Sequence, residues 1–199
     1  MRNKHLIRLV AVALLAAIAI VLTFFEFNLP FFPSFLKLDF SSLPALIATL
    51  AFGPVAGIAT ELVKNLVDFL KASSGGVGQL ANLIMGTAFI LPIGLICRKS
   101  KSLGRLLAGF AVGTVVMSAA GAVTNYYILI PFYVSFLNIP LEGIIASASK
   151  IIPAIDSLFT VVLFGVVPFN LFKGTLLSAI AIPVYKRLGK GLDTLTVTK

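Results

Sequence analysis

"LIRLVAVALLAAIAIVLTFF", residues 6–25, is long enough to cross a membrane and carries one charge, Arg8, near its start. A helix rises ~1.5 Å per residue, so about 20 apolar residues span a hydrocarbon layer roughly 30 Å thick. The rival reading is a secretory leader, which also joins a basic start to an apolar core. "FFEFNLPFFP" follows at 24–33, however, without the small-residue pattern at which a leader is cut. The segment is therefore expected to be a retained first helix.

The rest of the chain has the same character. Of 199 residues, 59% are hydrophobic and only 12% charged, whereas a soluble domain of this length needs a far larger charged surface. The apolar excess must face membrane lipid, which predicts an all-α integral membrane protein. Apolar segments at 6–25, 43–52, 55–71, 79–97, 105–133 and 153–185 predict about six transmembrane helices in a single membrane domain, 1–199. Pro30 and Pro33 mark 26–40 as a loop, and Gly53-Pro54 punctuates the chain after 43–52. That short segment reads as a partial or strongly tilted helix. No internal repeat supports an inverted-repeat carrier.

The net charge is +9, and its placement carries the information. Eleven of the 16 basic residues fall in three places: Arg2, Lys4 and Arg8; Arg98, Lys99, Lys101 and Arg105; Lys186, Arg187, Lys190 and Lys199. Basic residues gathered at the flanks of apolar segments mark the cytoplasmic side. Six crossings put both termini and the 98–105 loop there, and the 26–40 loop outside. The same segregation argues against nucleic acid as a partner.

Several chemistries are excluded. One cysteine, Cys97, and one histidine, His5, supply neither an intrachain disulfide, a Cys/His metal site nor a catalytic triad. No G-x-x-x-x-G-K-[ST] occurs, so the chain is not its own P-loop ATPase. "SSGGVGQ" at 73–79 lacks the lysine and reads as a flexible loop. A lipid-headgroup transferase would need clustered carboxylates or a nucleophile beside a base, and neither is found. The chain is expected not to be an enzyme.

Polar groups at membrane depth are costly, so each asks for a reason. Glu61, Lys64, Asn65 and Asp68 share one helical face, and their spacing favours a self-neutralising network over direct ligand contact. Lys37 and Asp39 lie among Phe31, Phe32, Phe35, Leu36, Leu38 and Phe40, a loop apolar enough to fold over a cavity and carry Asp39 inward. Thr124 and Asn125 sit in the fifth segment, Asn170 and Lys173 in the sixth, and Gln79 and Asn82 open the fourth. Asn82 suits interhelical hydrogen bonding. Lys173 is too far from the cytoplasmic Lys186 to snorkel there, so it needs an acceptor from another helix or a ligand. Together these residues describe an outward cavity with aromatic walls, amides, a carboxylate and a lysine. That suits a neutral, flat, partly polar small molecule.

"FPSFLKLDFSSLPALI" (32–47), "FGPVAGIATELVKNLVDFL" (52–70), "GGVGQLANLIMG" (75–86), "GAVTNYYILIPFY" (121–133) and "FNLFKG" (169–174) resemble the substrate-binding S components of energy-coupling factor (ECF) transporters, specifically the riboflavin-specific RibU family. The resemblance implies six helices, an outer capping loop and high-affinity riboflavin binding. It also implies a transmembrane coupling protein and two cytoplasmic ATP-binding cassette ATPases as partners, a bacterial cell-membrane location, and no cofactor beyond the carried vitamin. It points to Leu38, Asp39, Asn125 and Lys173 as ligand contacts, with Asn82 as a further one, and to Ala13 and Ala17 on the first helix as the docking pair. Gln79 stands where an acid is expected and is set aside. The alternatives are an S component for another vitamin, such as thiamine or biotin, a small membrane enzyme, and a channel.

Overall fold

The computed structural model describes residues 4–70, 72 and 75–196, and the side chains of these through Leu188 except that of Lys4. Arg2, Ser73, Ser74 and Lys199, and the side chains of Lys4 and Lys190, lie outside the described residues.

Helix α1, Lys4–Leu22, ends where the Thr23 hydroxyl donates to the Ile20 carbonyl at 2.8 Å. The loop that follows is tied by a two-residue antiparallel ladder, β1 (Phe27–Asn28) with β2 (Lys37–Leu38), pairing Phe27 with Leu38 and Asn28 with Lys37. An ion pair between Lys37 and Glu26 closes its outer edge. Strands this short leave no alternating pattern in the sequence, which explains why the segment reads there only as a loop.

Helices α2 (Leu43–Phe52) and α3 (Pro54–Phe69) meet at Gly53. Its φ of 94° is open to glycine, and Pro54 then starts α3 at a position that needs no amide proton. At ~1.5 Å per residue α2 is about 15 Å long, half a bilayer. Arg8 Nη2 donates to the Phe52 carbonyl at 2.6 Å, satisfying the last turn of α2 from α1. The α2–α3 contact is tight enough that a Cβ at Gly57 would fall 1.8 Å from Thr49 Oγ1. Small residues that let backbones approach are the usual basis of helix association in lipid.

Helix α4 (Val77–Ile96) returns against α5 (Leu103–Thr124), with Phe89 and Phe110 packed edge to face at 6.0 Å. The path of α5 continues through a π-helical stretch, Asn125–Leu129, into α6 (Ile130–Phe136). Helix α7, Leu141–Ser149, follows Pro140 and carries Glu142 in its first turn, where the helix dipole favours an acid. It occupies a region whose mixed composition gave no helical expectation.

The last apolar segment starts later than 153. Ser157 and Thr160 form a capping box at the start of α8 (Leu158–Thr160), which runs through a second π-helical stretch, Val161–Val166, into α9 (Val167–Thr196). The helix also passes the expected end at 185, because the end of an apolar segment marks where lipid stops and not where backbone hydrogen bonding must. Among the described residues four helices are long and apolar enough to cross a membrane: His5–Leu22, Val77–Ile96, Leu103–Phe136 and Leu158–Leu188. The chain is an all-helical membrane protein.

Contacts at one end bring together described segments that carry the three basic clusters. Arg8 reaches Phe52, a Cβ at Gly94 would lie 2.7 Å from Pro54 Cβ, and Lys101 stands over the Tyr185 ring at 5.3 Å. The apolar interior has two parts. One, around Leu46, Phe89, Ile93, Phe110 and Leu177, fills this basic end. The other, around Leu38, Ile130, Ile155, Val161 and Phe169, joins the 23–42 loop to the two π-helical stretches.

Candidate functional site

A cavity of about 590 Å³ opens beneath the 23–42 loop, within the range of small-molecule sites. Phe24, Phe35, Tyr133 and Phe169 give it aromatic walls, and Asp39, Asn82, Asn125, Asn170 and Lys173 line it as well. Four of the five residues singled out as ligand contacts, spread from 39 to 173, therefore converge. Leu38 does not line the cavity. It is 1% exposed and packs into the apolar cluster behind the loop, while Leu36, two residues earlier, reaches the cavity.

The acceptor that Lys173 needs is Asp39. Lys173 Nζ lies 2.7 Å from Asp39 Oδ2, joining α9 to the last turn of the loop. The other carboxylate oxygen, Oδ1, accepts the Ser41 amide at 2.8 Å and the Ser41 hydroxyl. Burial alone would oppose the charge on Asp39. Lys173 and Lys64 outweigh it and, with the bonds from Lys173 and Ser41, hold the carboxyl well below the usual carboxylate range.

Asn125 begins the first π-helical stretch, and its Nδ2 donates to the Gly121 carbonyl at 2.8 Å. Its Oδ1 is buried without a partner, and the residue lines the cavity. Asn170 follows the second π-helical stretch and donates from Nδ2 to the Val166 carbonyl at 2.9 Å. Its amide packs on α5 so closely that a Cβ at Gly121 would meet Nδ2 at 2.8 Å. One π-helical stretch thus starts at an amide in the cavity wall and the other lies one turn before a second, a recurring place for such irregular turns.

Sequence reasoning set Gln79 aside, yet it lines the cavity. Its Nε2 donates to Asp68 Oδ2 at 3.0 Å, and its Oε1 is buried without a partner. The usable signal was its place beside Asn82 on the first turns of α4. On α3, Glu61 and Lys64 pair at 2.6 Å, are wholly buried and do not line the cavity, whereas Asp68, expected in the same network, lines the cavity and accepts from Gln79. Ala13 and Ala17 sit on the exposed face of α1, whereas Ala16 and Ala19 point inward at 3% and 0% exposure.

Residues 7–185 match the family model described as "ECF transporter, substrate-specific component". The chain belongs to this family. It is therefore a membrane transporter component and not an enzyme, and its working context is the ECF module. As an S component it is similar to the "Riboflavin transporter RibU" of Staphylococcus aureus, 39% identical over 93% of this chain and 92% of that protein. It is also similar to the "Riboflavin transporter FmnP" of Bacillus subtilis, 38% identical over 91% of each. A solved structure described as the S component of a bacterial ECF transporter superposes with a TM-score of 0.76 at 36% identity, covering 96% of this chain and 99% of that one.

Proposed function

We propose that this S component binds riboflavin in the cavity under the 23–42 loop and delivers it inward. It would do so in partnership with a transmembrane coupling protein and two cytoplasmic ATP-binding cassette ATPases. The observation that carries this is the convergence of Asn125 Oδ1, an unpartnered buried acceptor, with the Asp39–Lys173 pair between aromatic walls. Isoalloxazine is flat and aromatic, with an edge that alternates carbonyl acceptors and an imide N–H. In our reading Asn125 Oδ1 accepts from that N–H, Lys173 donates to an oxygen of the vitamin, and Asp39 accepts from a ribityl hydroxyl. Asn82 is a further contact, and Leu38 supports the loop from behind.

The decisive experiment is purification of the full chain without added ligand, then a visible spectrum and mass spectrometry of released small molecules. A yellow protein releasing riboflavin is expected. A colourless protein that releases thiamine or biotin would overturn the vitamin assignment.

We place the protein in the bacterial cell membrane as a single multi-pass domain, 1–199. It would have about six crossings, with α2 and α3 together filling two of them, and with the basic end and both termini in the cytoplasm. The orientation can be tested with a thiol label. Cys97 is a poor probe, since it is 3% exposed and burial pushes its thiol up. Ser100 is exposed in the same loop, so Ser100→Cys with Cys97→Ser is the variant to use. An impermeant maleimide should label it only after the cells are opened, and labelling of intact cells would reverse the orientation.

A further inference from the structure

Glu61 and Lys64 neither line the cavity nor see solvent, both being 0% exposed. A buried pair is a poor source of net stability, so its position calls for another account. Gly86 of α4 makes room for it, since a Cβ there would lie 2.7 Å from Glu61 Oε2. Lys64 Nζ, besides its bond to Glu61, reaches Ser42 Oγ at 3.4 Å. Ser42 leads into α2 and is preceded by Ser41, the residue that holds Asp39 Oδ1. Asp39 Oδ2 in turn holds Lys173. A continuous buried path therefore runs from the α3–α4 contact, through Glu61, Lys64, Ser42, Ser41 and Asp39, to Lys173 in the cavity wall.

We propose that Lys64 is a positioning residue for ligand capture: through Ser42 and the Ser41 turn it sets the Asp39 carboxylate against Lys173 before the ligand arrives. The physical need is clear from the loop. Asp39 lies at the end of a loop whose apolar side chains pack on the helices but whose own polar ties are few: a two-residue ladder, short turns and an exposed ion pair. A carboxylate fixed in advance does not have to be ordered at the moment of binding, and that ordering is a direct loss of affinity. Lys64 is also the second cation acting on Asp39, which keeps the carboxylate ionised despite burial.

The inference rests on the cavity being the riboflavin site. It is tested with the purified full chain by titrating riboflavin and following flavin fluorescence. Glu61→Gln with Lys64→Met removes both charges together, so neither is left alone. This variant should weaken riboflavin binding roughly tenfold, as expected for a lost buried hydrogen-bonding group. In the presence of Asp39→Asn the further loss should nearly vanish, because residues on one path are coupled.

The pH profile supplies a second readout. The charged groups facing Asp39 are Lys173 from α9 and Lys64, backed by Glu61, from α3, with Lys37, Glu26, Asp68 and Tyr133 around the same cavity. In wild type Asp39 stays ionised and affinity should hold down to about pH 5. Without Lys64 its carboxyl titrates higher, with Lys173 still beside it, so the acid-side loss of affinity should begin at a higher pH than in wild type. Additive losses, or a profile as flat as wild type, overturn the proposal. Should the double variant not fold, Ser42→Ala decides by its coupling to Asp39→Asn alone, since it cuts the path and keeps every charge. Wild-type protein that fails to bind riboflavin would instead defeat the functional reading, before any variant is compared.

Discussion

Ala13→Trp or Ala17→Trp is expected to abolish energised riboflavin uptake and co-purification with the coupling module, while riboflavin affinity should stay near wild type. The expectation follows from which face of α1 is used inside the molecule. Ala16 and Ala19 are buried against the other helices, so Ala13 and Ala17 are left outward beside Leu14 and Ile18, which are 61% and 52% exposed. Apolar side chains gain little by meeting in lipid, so close backbone approach through small residues is what a partner helix would use. An indole at either position would hold that helix away. The cavity should not feel it: at ~1.5 Å per residue Ala13 lies about 15 Å along α1 from Thr23, where the cavity begins. Uptake assays and pull-down of the partner subunits check the first half, and riboflavin titration checks the second. Normal transport in both variants, or loss of binding along with transport, would show that the outward alanines are not the docking surface.

Lys173→Ala should weaken riboflavin binding by about 10- to 100-fold, the larger of two site effects. Removing Lys173 deletes a charged donor to the vitamin, worth about 1.5–3 kcal/mol, and leaves Asp39 with Lys64 as its remaining cation. Asp39 is 9% exposed as a whole residue. Lys173→Met with Asp39→Asn removes both charges and should restore the thermal stability of the empty protein without restoring riboflavin affinity. Asn125→Ala should cost less, about 1–3 kcal/mol, because it deletes one unpartnered acceptor and leaves the ion pair intact. Titration of riboflavin against each purified variant reads these differences. Wild-type affinity in both Lys173→Ala and Asn125→Ala would mean that the vitamin lies elsewhere.

The polar residues that stood out in the sequence did so for a thermodynamic reason. A charge or amide in an apolar segment is unfavourable unless it is paired, so Asp39, Asn125 and Lys173 are conspicuous against their neighbours. Leu38 had no such contrast. Leu36 precedes the two-residue strand and Leu38 ends it, so no alternating run in the sequence shows which of the two faces the cavity. Gln79 was hidden for a different reason. An amide is ordinary near a helix start, and only its placement against Asp68 and the cavity makes its unpartnered oxygen significant.

The class of the protein, the placement of its apolar segments and the segregation of basic residues were determined by the sequence alone. Each is a property summed along the chain, and lipid acts on such sums: it rewards apolar length and holds charge at the flanks. The pairings were decided only by the tertiary structure. The network on α3 could have closed on itself, yet Lys64 also reaches Ser42. Lys173 has no acid within a helical turn and finds Asp39 across 134 residues of sequence. A desolvated charge takes whichever opposite charge the packed helices bring within about 3 Å. Close approaches such as Gly57 on Thr49 and Gly86 on Glu61 let the helices pack, and local sequence does not encode which surfaces meet.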